Sequence, residues 1–263
     1  MSKIEGGLVQ FGELSERVGV ITLNDPEKLN AMSEDMAIEF SGLVSKISQK
    51  HKYLRVLILT GAGRAFSAGG DLKMLESKVK LGGEENRLKM LDYYKSFLCL
   101  RDIGLPLIAA INGTAIGAGL CLASSCDIRI ASKQAKLGMT FARLGLHPGM
   151  GATFFLPEIM GISKATEFML TARVIDAEEA QRVGLVSKVV DESNLMKEAE
   201  GIANDIVSCG PQAIRQLLET LRMGRTNIEN SLRREAVVQA VNYASVEFTE
   251  GLRSVMEKRK ANF

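Results

Sequence analysis

The chain has 263 residues, enough to bury a large core in one sizeable domain or in one domain with an appendage. Its composition, 46% apolar and 24% charged, is that of a globular enzyme, and a formal net charge of +2 excludes the concentrated positive charge of a dedicated nucleic-acid binder. Residues 1–12 carry no charged-then-apolar leader pattern, and no run of about 18 uninterrupted apolar residues occurs, so a cytoplasmic protein that spans no membrane is expected. Cys99, Cys121, Cys126 and Cys209 form neither a CxxC pair nor a disulfide-like framework and read as reduced thiols. No Cys/His/Asp/Glu cluster has metal-ligand spacing, so no metal is expected.

In chain order, Val18–Leu23 (VGVITL) is a β-branched run closed by Asn24-Asp25-Pro26, which predicts a strand and a turn. Ser33 stands before apolar residues spaced by three and four (Met36, Phe40, Leu43, Val44, Ile47), predicting an N-capped helix to about residue 49. Residues 55–60 (RVLILT) form a second apolar strand, and a helical pattern over about 84–103 ends at Gly104 and Pro106. Strands follow at 106–111 and 127–131, with a later, partly exposed one at 185–190. Strand–helix alternation of this kind predicts a layered α/β arrangement with parallel pairing. From about residue 192 the strands cease and helices are expected over 195–207, 211–223 and 228–260, Pro211 marking a helix start. The division is therefore a core at 1–191 and a helical C-terminal region at 192–263. Lys258, Arg259 and Lys260 are a dense basic cluster, readable as a solvated helix end or as part of an anion site.

Two glycine-rich turns carry the chemistry. Residues 65–72 (AFSAGGDL) and 112–119 (NGTAIGAG) each follow a strand and lead into a helix-compatible run. Small residues there let a second backbone or a ligand approach closely and leave amide N–H groups pointing outward. If the two turns converge, they present a pair of donors to one oxygen. Neither turn has the GxxxxGK[ST] spacing of a phosphate loop, so no nucleotide is placed there.

AFSAGGDL, NGTAIGAG, CDIRIAS at 126–132 and LGLHPGMGAT at 144–153 resemble, in order, the hallmarks of the crotonase (enoyl-CoA hydratase/isomerase) superfamily. So do residues 170–190 and the terminal EKRKANF, while KLNAMS at 28–33 is similar to the family's adenine-side CoA loop. The resemblance implies a spiral of ββα units with a helical C-terminal region that assembles homotrimers, often dimers of trimers. It implies an acyl-CoA thioester as substrate and no separate cofactor, CoA being part of the substrate. The oxyanion donors would be the backbone amides of Gly70 and Ala118. Lys28, Ala31, Ala68, Asp71 and Leu72 would line the CoA path, and Lys258 would reach a CoA phosphate. Asp71 has a second reading, as the cap of the helix that follows it.

The chain departs from the family at the acid and base. Where hydratases of this superfamily carry two glutamates, this sequence has Cys121 and Phe141, and Gly149 stands where an isomerase places its carboxylate. An enolate hole without a base does not readily abstract an α-proton. The replacement candidates are His147, whose unperturbed pKa suits proton transfer, and Cys121, which also reads as a buried, inert thiol. Arg143 would bind a carboxylate if it faced inward, and His51, beside Lys50 and Lys52, reads as solvated. Three functions remain open: a hydratase/isomerase-like enzyme (lyase or isomerase), a decarboxylase of malonyl- or glutaconyl-type thioesters, and a non-catalytic acyl-CoA binder. For the decarboxylase, whose PGMGAT stretch resembles enzymes of polyketide β-branching, the acyl group would ride on CoA or on an acyl carrier protein.

Overall fold

The run VGVITL forms the strand its composition predicts, β2 (Val18–Leu23). It pairs antiparallel with β1 (Val9–Ser15) and in parallel with β3 (Val56–Gly61). The computed structural model describes residues 7–79 and 81–223, together with residues 246, 250, 257, 259, 261 and 262. Three further strands, β5 (Leu107–Ile111), β7 (Ile128–Ser132) and β10 (Lys188–Val190), complete a six-stranded sheet in the order β1-β2-β3-β5-β7-β10. A second sheet of three-residue strands, β4 (Ala65–Ser67), β6 (Thr114–Ile116), β8 (Lys136–Gly138) and β9 (Val174–Asp176), runs in that same order.

The chain thus places one strand in the large sheet, the next in the small sheet, and then a helix, three times over. After β3 and β4 come α2 (Leu72–Lys78) and α3 (Gly83–Leu98); after β5 and β6 comes α4 (Ala118–Ser125); after β7 and β8 come α5 (Ala152–Met160) and α6 (Ile162–Thr171). This is the ββα spiral that the resemblance implies. The first helix, α1 (Glu34–Lys50), starts where expected, with the Ser33 hydroxyl accepting from the Met36 N–H at 3.1 Å. The helix expected over 84–103 stops at Leu98 and tightens into a 3-10 turn over Cys99–Ile103, which Gly104 ends at φ +73°.

The long strands read as unbroken apolar runs because both faces of the large sheet are covered. Leu57 and Leu59 of β3 face a cluster with Phe40 and Phe97, while Val56 and Ile58 face Leu195, Ala199 and Ala203 of α8 (Leu195–Val207). A short helix α7 (Ala177–Arg182) leads from β9 toward β10, and α9 (Pro211–Arg222), opened by Pro211, follows α8. Arg222 ties α9 to the sheet through two bonds to the Asp127 carboxylate, at 3.0 and 2.7 Å, and further bonds to the carbonyls of Arg101 and Leu105. Of the basic cluster near the end, Arg259 pairs with Glu250 and Glu257, whereas Lys258 and most of the helix expected over 228–260 lie outside the described residues. Among the described residues, no helix is long and apolar enough to cross a membrane.

Candidate active site

The two glycine-rich turns meet because β4 and β6 are parallel neighbours in the small sheet, with Ser67 opposite Ala115. Gly69, at φ +98°, approaches the second turn so closely that a Cβ there would stand 2.6 Å from the Ile116 carbonyl oxygen and 3.5 Å from the Ala118 nitrogen. In return, a Cβ on Gly119 would stand 2.6 Å from the Ser67 carbonyl oxygen. Small residues are therefore required by contact between the turns themselves.

The KLNAMS loop braces the first turn. Ala68 N–H donates to the Leu29 carbonyl at 2.9 Å, Met32 N–H to that of Gly69 at 2.7 Å, and Asp71 N–H to that of Met32 at 3.2 Å. The Tyr93 hydroxyl on α3 donates to the same Met32 carbonyl at 2.7 Å. This pairing engages the groups on either side of Gly70 and leaves its own N–H directed away from the loop. Ala118 is the first residue of α4, so its N–H has no acceptor within the helix. Among the described residues, neither amide has a protein acceptor.

Both turns open on one cavity of about 670 Å³, a size suited to a small-molecule ligand. Ala68, Gly70 and Leu72 line one side, and Met90, Tyr93 and Tyr94 of α3 another. Ala118 lines it beside the first turn, and Phe141, Leu146 and His147 complete the lining. The surface is predominantly apolar. Glu76, exposed on α2, is the one carboxylate on this wall among the described residues.

Of the residues singled out from sequence, Ala68, Gly70, Leu72, Ala118, Phe141 and His147 share this cavity. Lys28 and Ala31 lie in the bracing loop, off the wall; the Lys28 ammonium is largely exposed, 3.6 Å from Asp25. Asp71 caps α2, accepting from the Met74 N–H at 2.9 Å, which is its second reading. Cys121 is fully buried behind the wall, its Sγ donating to the Gly149 carbonyl at 3.4 Å, and burial holds the thiol far above its usual range. His147 is exposed, and its Nδ1 lies 2.6 Å from the Pro148 carbonyl oxygen, to which that nitrogen donates. The Phe141 ring lies over Gly117. Arg143 is exposed and off the wall, and His51 contacts Tyr53 and Glu13 at the end of α1. Tyr94 and Glu76 were not legible as site residues. Each sits in an ordinary helical pattern, and only the tertiary fold brings it to the cavity.

Comparison with known proteins bears on the family and the fold. The family model described as enoyl-CoA hydratase/isomerase matches residues 13–263. The crotonyl-CoA hydratase of Syntrophomonas wolfei is 36% identical over 95% of this chain and 96% of its own. The short-chain-enoyl-CoA hydratase of Clostridium acetobutylicum is 36% identical over 94% of each. The crystal structure of an enoyl-CoA hydratase from Bacillus anthracis superposes with a TM-score of 0.91 at 33% identity, covering 98% of this chain and 99% of that one. The fold is that of the crotonase superfamily. The chain belongs to the enoyl-CoA hydratase/isomerase family.

Proposed function

We propose that the chain binds an acyl-CoA thioester in this cavity and holds its carbonyl oxygen between the N–H groups of Gly70 and Ala118, stabilising the enolate. The observation that carries this reading is the pair of N–H groups, on touching turns at one cavity wall, that have no protein acceptor among the described residues. Each such donor contributes roughly 2.7–4 kcal/mol when charge develops on the oxygen it faces. The hydratases among its relatives support chemistry of the lyase class, and the hydratase/isomerase family description supports the isomerase class as well. Assembly as a homotrimer, or a dimer of trimers, through the helical C-terminal region belongs to the same reading and is measured by light scattering.

A second reading, decarboxylation of a malonyl- or glutaconyl-type thioester, is favoured by a specific feature. Phe141 and the buried Cys121 stand where the family resemblance implies two glutamates. Loss of CO₂ leaves the C–C bonding pair on the α-carbon as the enolate, so no base is required, and the amide pair supplies the stabilisation. Crotonyl-CoA, 3-hexenoyl-CoA and methylmalonyl-CoA, followed by ultraviolet absorbance and CO₂ release, separate the readings. Hydration at ordinary enzyme rates of about 10 per second would contradict the importance given to the missing carboxylates. CO₂ release from methylmalonyl-CoA alone supports decarboxylation, and repeating it with the acyl group on a carrier protein distinguishes the two carriers. Tight binding with no turnover of any of the three would leave a non-catalytic acyl-CoA binder.

A further inference from the structure

Tyr94 of α3 has no part in the chemistry described so far. Its ring is half-buried in the cavity wall, held by an edge contact with Tyr93 at 6.2 Å between centroids. Across from it stands Gly149. A Cβ on Gly149 would collide with Tyr94 Oη and would stand 2.7 Å from the ring carbon Cζ, so the glycine is what gives the hydroxyl its place. The Gly149 carbonyl is already engaged by the Cys121 thiol at 3.4 Å. Among the described residues, Tyr94 Oη has no hydrogen-bond partner.

The other protic groups on the wall are committed, exposed or too weakly acidic. Tyr93 donates to Met32, Lys78 pairs with Glu34 at 2.6 Å, His147 and Glu76 are exposed, and the Thr140 hydroxyl is a far weaker acid than a phenol. Among the described residues of the wall, Tyr94 alone combines an uncommitted phenol, acidic enough to give up a proton, with partial burial. We propose that Tyr94 is the proton donor of this site, delivering its hydroxyl proton to the enolate carbon once the Gly70 and Ala118 amides hold the charge. The proposal rests on the enolate reading above. In the step, the enolate π pair forms the new C–H bond as the Tyr94 O–H bond breaks. The thioester C=O is restored, and the phenolate recovers a proton from water at the mouth; nothing is oxidised or reduced. Burial raises the phenol above its usual range, so the group enters the step protonated, as an acid.

Acetoacetyl-CoA tests this without requiring a known substrate. Its enolate absorbs in the near ultraviolet and is comparable to a phenolate in basicity, so proton transfer with Tyr94 runs in both directions and exchanges the C2 hydrogens in D₂O. Exchange is followed by mass spectrometry for the intact protein and for Tyr94→Phe, beside a buffer control and a thermal melt. Wild-type protein is expected to accelerate exchange over buffer, and Tyr94→Phe to lose about 100-fold or more of that acceleration while keeping the bound enolate band. Equal exchange in the two proteins, including both at the buffer rate, overturns the proposal, as does a loss on His147→Ala with none on Tyr94→Phe. No enolate band with wild-type protein, but exchange that depends on Tyr94, sinks the amide-pair reading and leaves Tyr94 as the donor. Gly149→Ala, which displaces the hydroxyl while leaving residue 94 unchanged, is expected to reproduce the loss. Wild-type exchange in that variant would overturn the proposal even if Tyr94→Phe failed to fold.

Discussion

Gly69→Ala probes the contact that brings the two turns together. The new Cβ would stand 2.6 Å from the Ile116 carbonyl oxygen, whereas carbon–oxygen contacts ordinarily lie at about 3.3–3.6 Å. One turn must withdraw by about 0.7 Å or more to relieve that overlap. The backbone at φ +98° adds strain of its own for an L side chain, about 1–3 kcal/mol. At roughly 2–4 °C per kcal/mol, the melting temperature falls by about 2–12 °C. The larger effect is on chemistry. A withdrawal of about 0.7 Å stretches a hydrogen bond of about 2.9 Å to a length at which it no longer counts as one. The loss of one amide donor lowers kcat by about 10²–10³-fold with little change in KM. The assay is a thermal melt together with kcat on whichever thioester turns over. Gly70→Ala is the comparison: its Cβ meets Met74 and Leu75 only at 3.5 Å and beyond, so the parent melting temperature is expected. A Gly69→Ala variant as stable and as fast as the parent would refute the contact as the basis of the site.

Arg222→Ala leaves the Asp127 carboxylate without its ionic partner, and a loss of about 3–5 kcal/mol in denaturant unfolding is expected; a loss under 1 kcal/mol would show the pair to be ordinary surface electrostatics. Iodoacetamide at pH 8, read by peptide mass spectrometry, is expected to label the exposed Cys209 and spare Cys121, Cys126 and Cys99 in the native state. Burial pushes the Cys99 thiol up to about 11 and that of Cys126 to about 12. Because these folded-state values exceed the ordinary thiol value, the native state retains protons that the unfolded chain releases. Their contribution to stability is whole below about pH 9 and is lost as pH rises through about 11 to 12, so the melting temperature should fall across that window. Asp71→Asn keeps the cap on α2, while Asp71→Ala costs about 1 kcal/mol of stability; equal melting temperatures for the two would remove capping as the role of Asp71.

The large sheet was legible because its parallel strands are covered on both faces, and β-branched runs such as VGVITL and RVLILT have no helical reading of comparable strength. The small sheet was not. Three-residue strands such as Ala65–Ser67 and Thr114–Ile116 are too short for any periodicity, and they read instead as parts of glycine turns. The edge strand Val9–Ser15 was missed because its residues are mostly half-buried and it contains Gly12, which breaks the β signal. Helices α5 and α6 went unassigned from periodicity because Gly151 and Gly161 bound them closely and Pro157 sits inside the first. At the site, the paired turns were visible as small-residue runs. Their convergence depends on the β4–β6 pairing, and the presence of Tyr94 depends on α3 packing against the loop that holds Gly149. Neither is written in local sequence.

A crystal structure of the protein with butyryl-CoA, an unreactive saturated thioester, would show directly where the carbonyl oxygen is held. The thioester oxygen is expected at about 2.7–3.1 Å from both the Gly70 and the Ala118 nitrogens. A complex in which that oxygen faces other groups, or in which the acyl chain lies outside the cavity shared by the two turns, would contradict it.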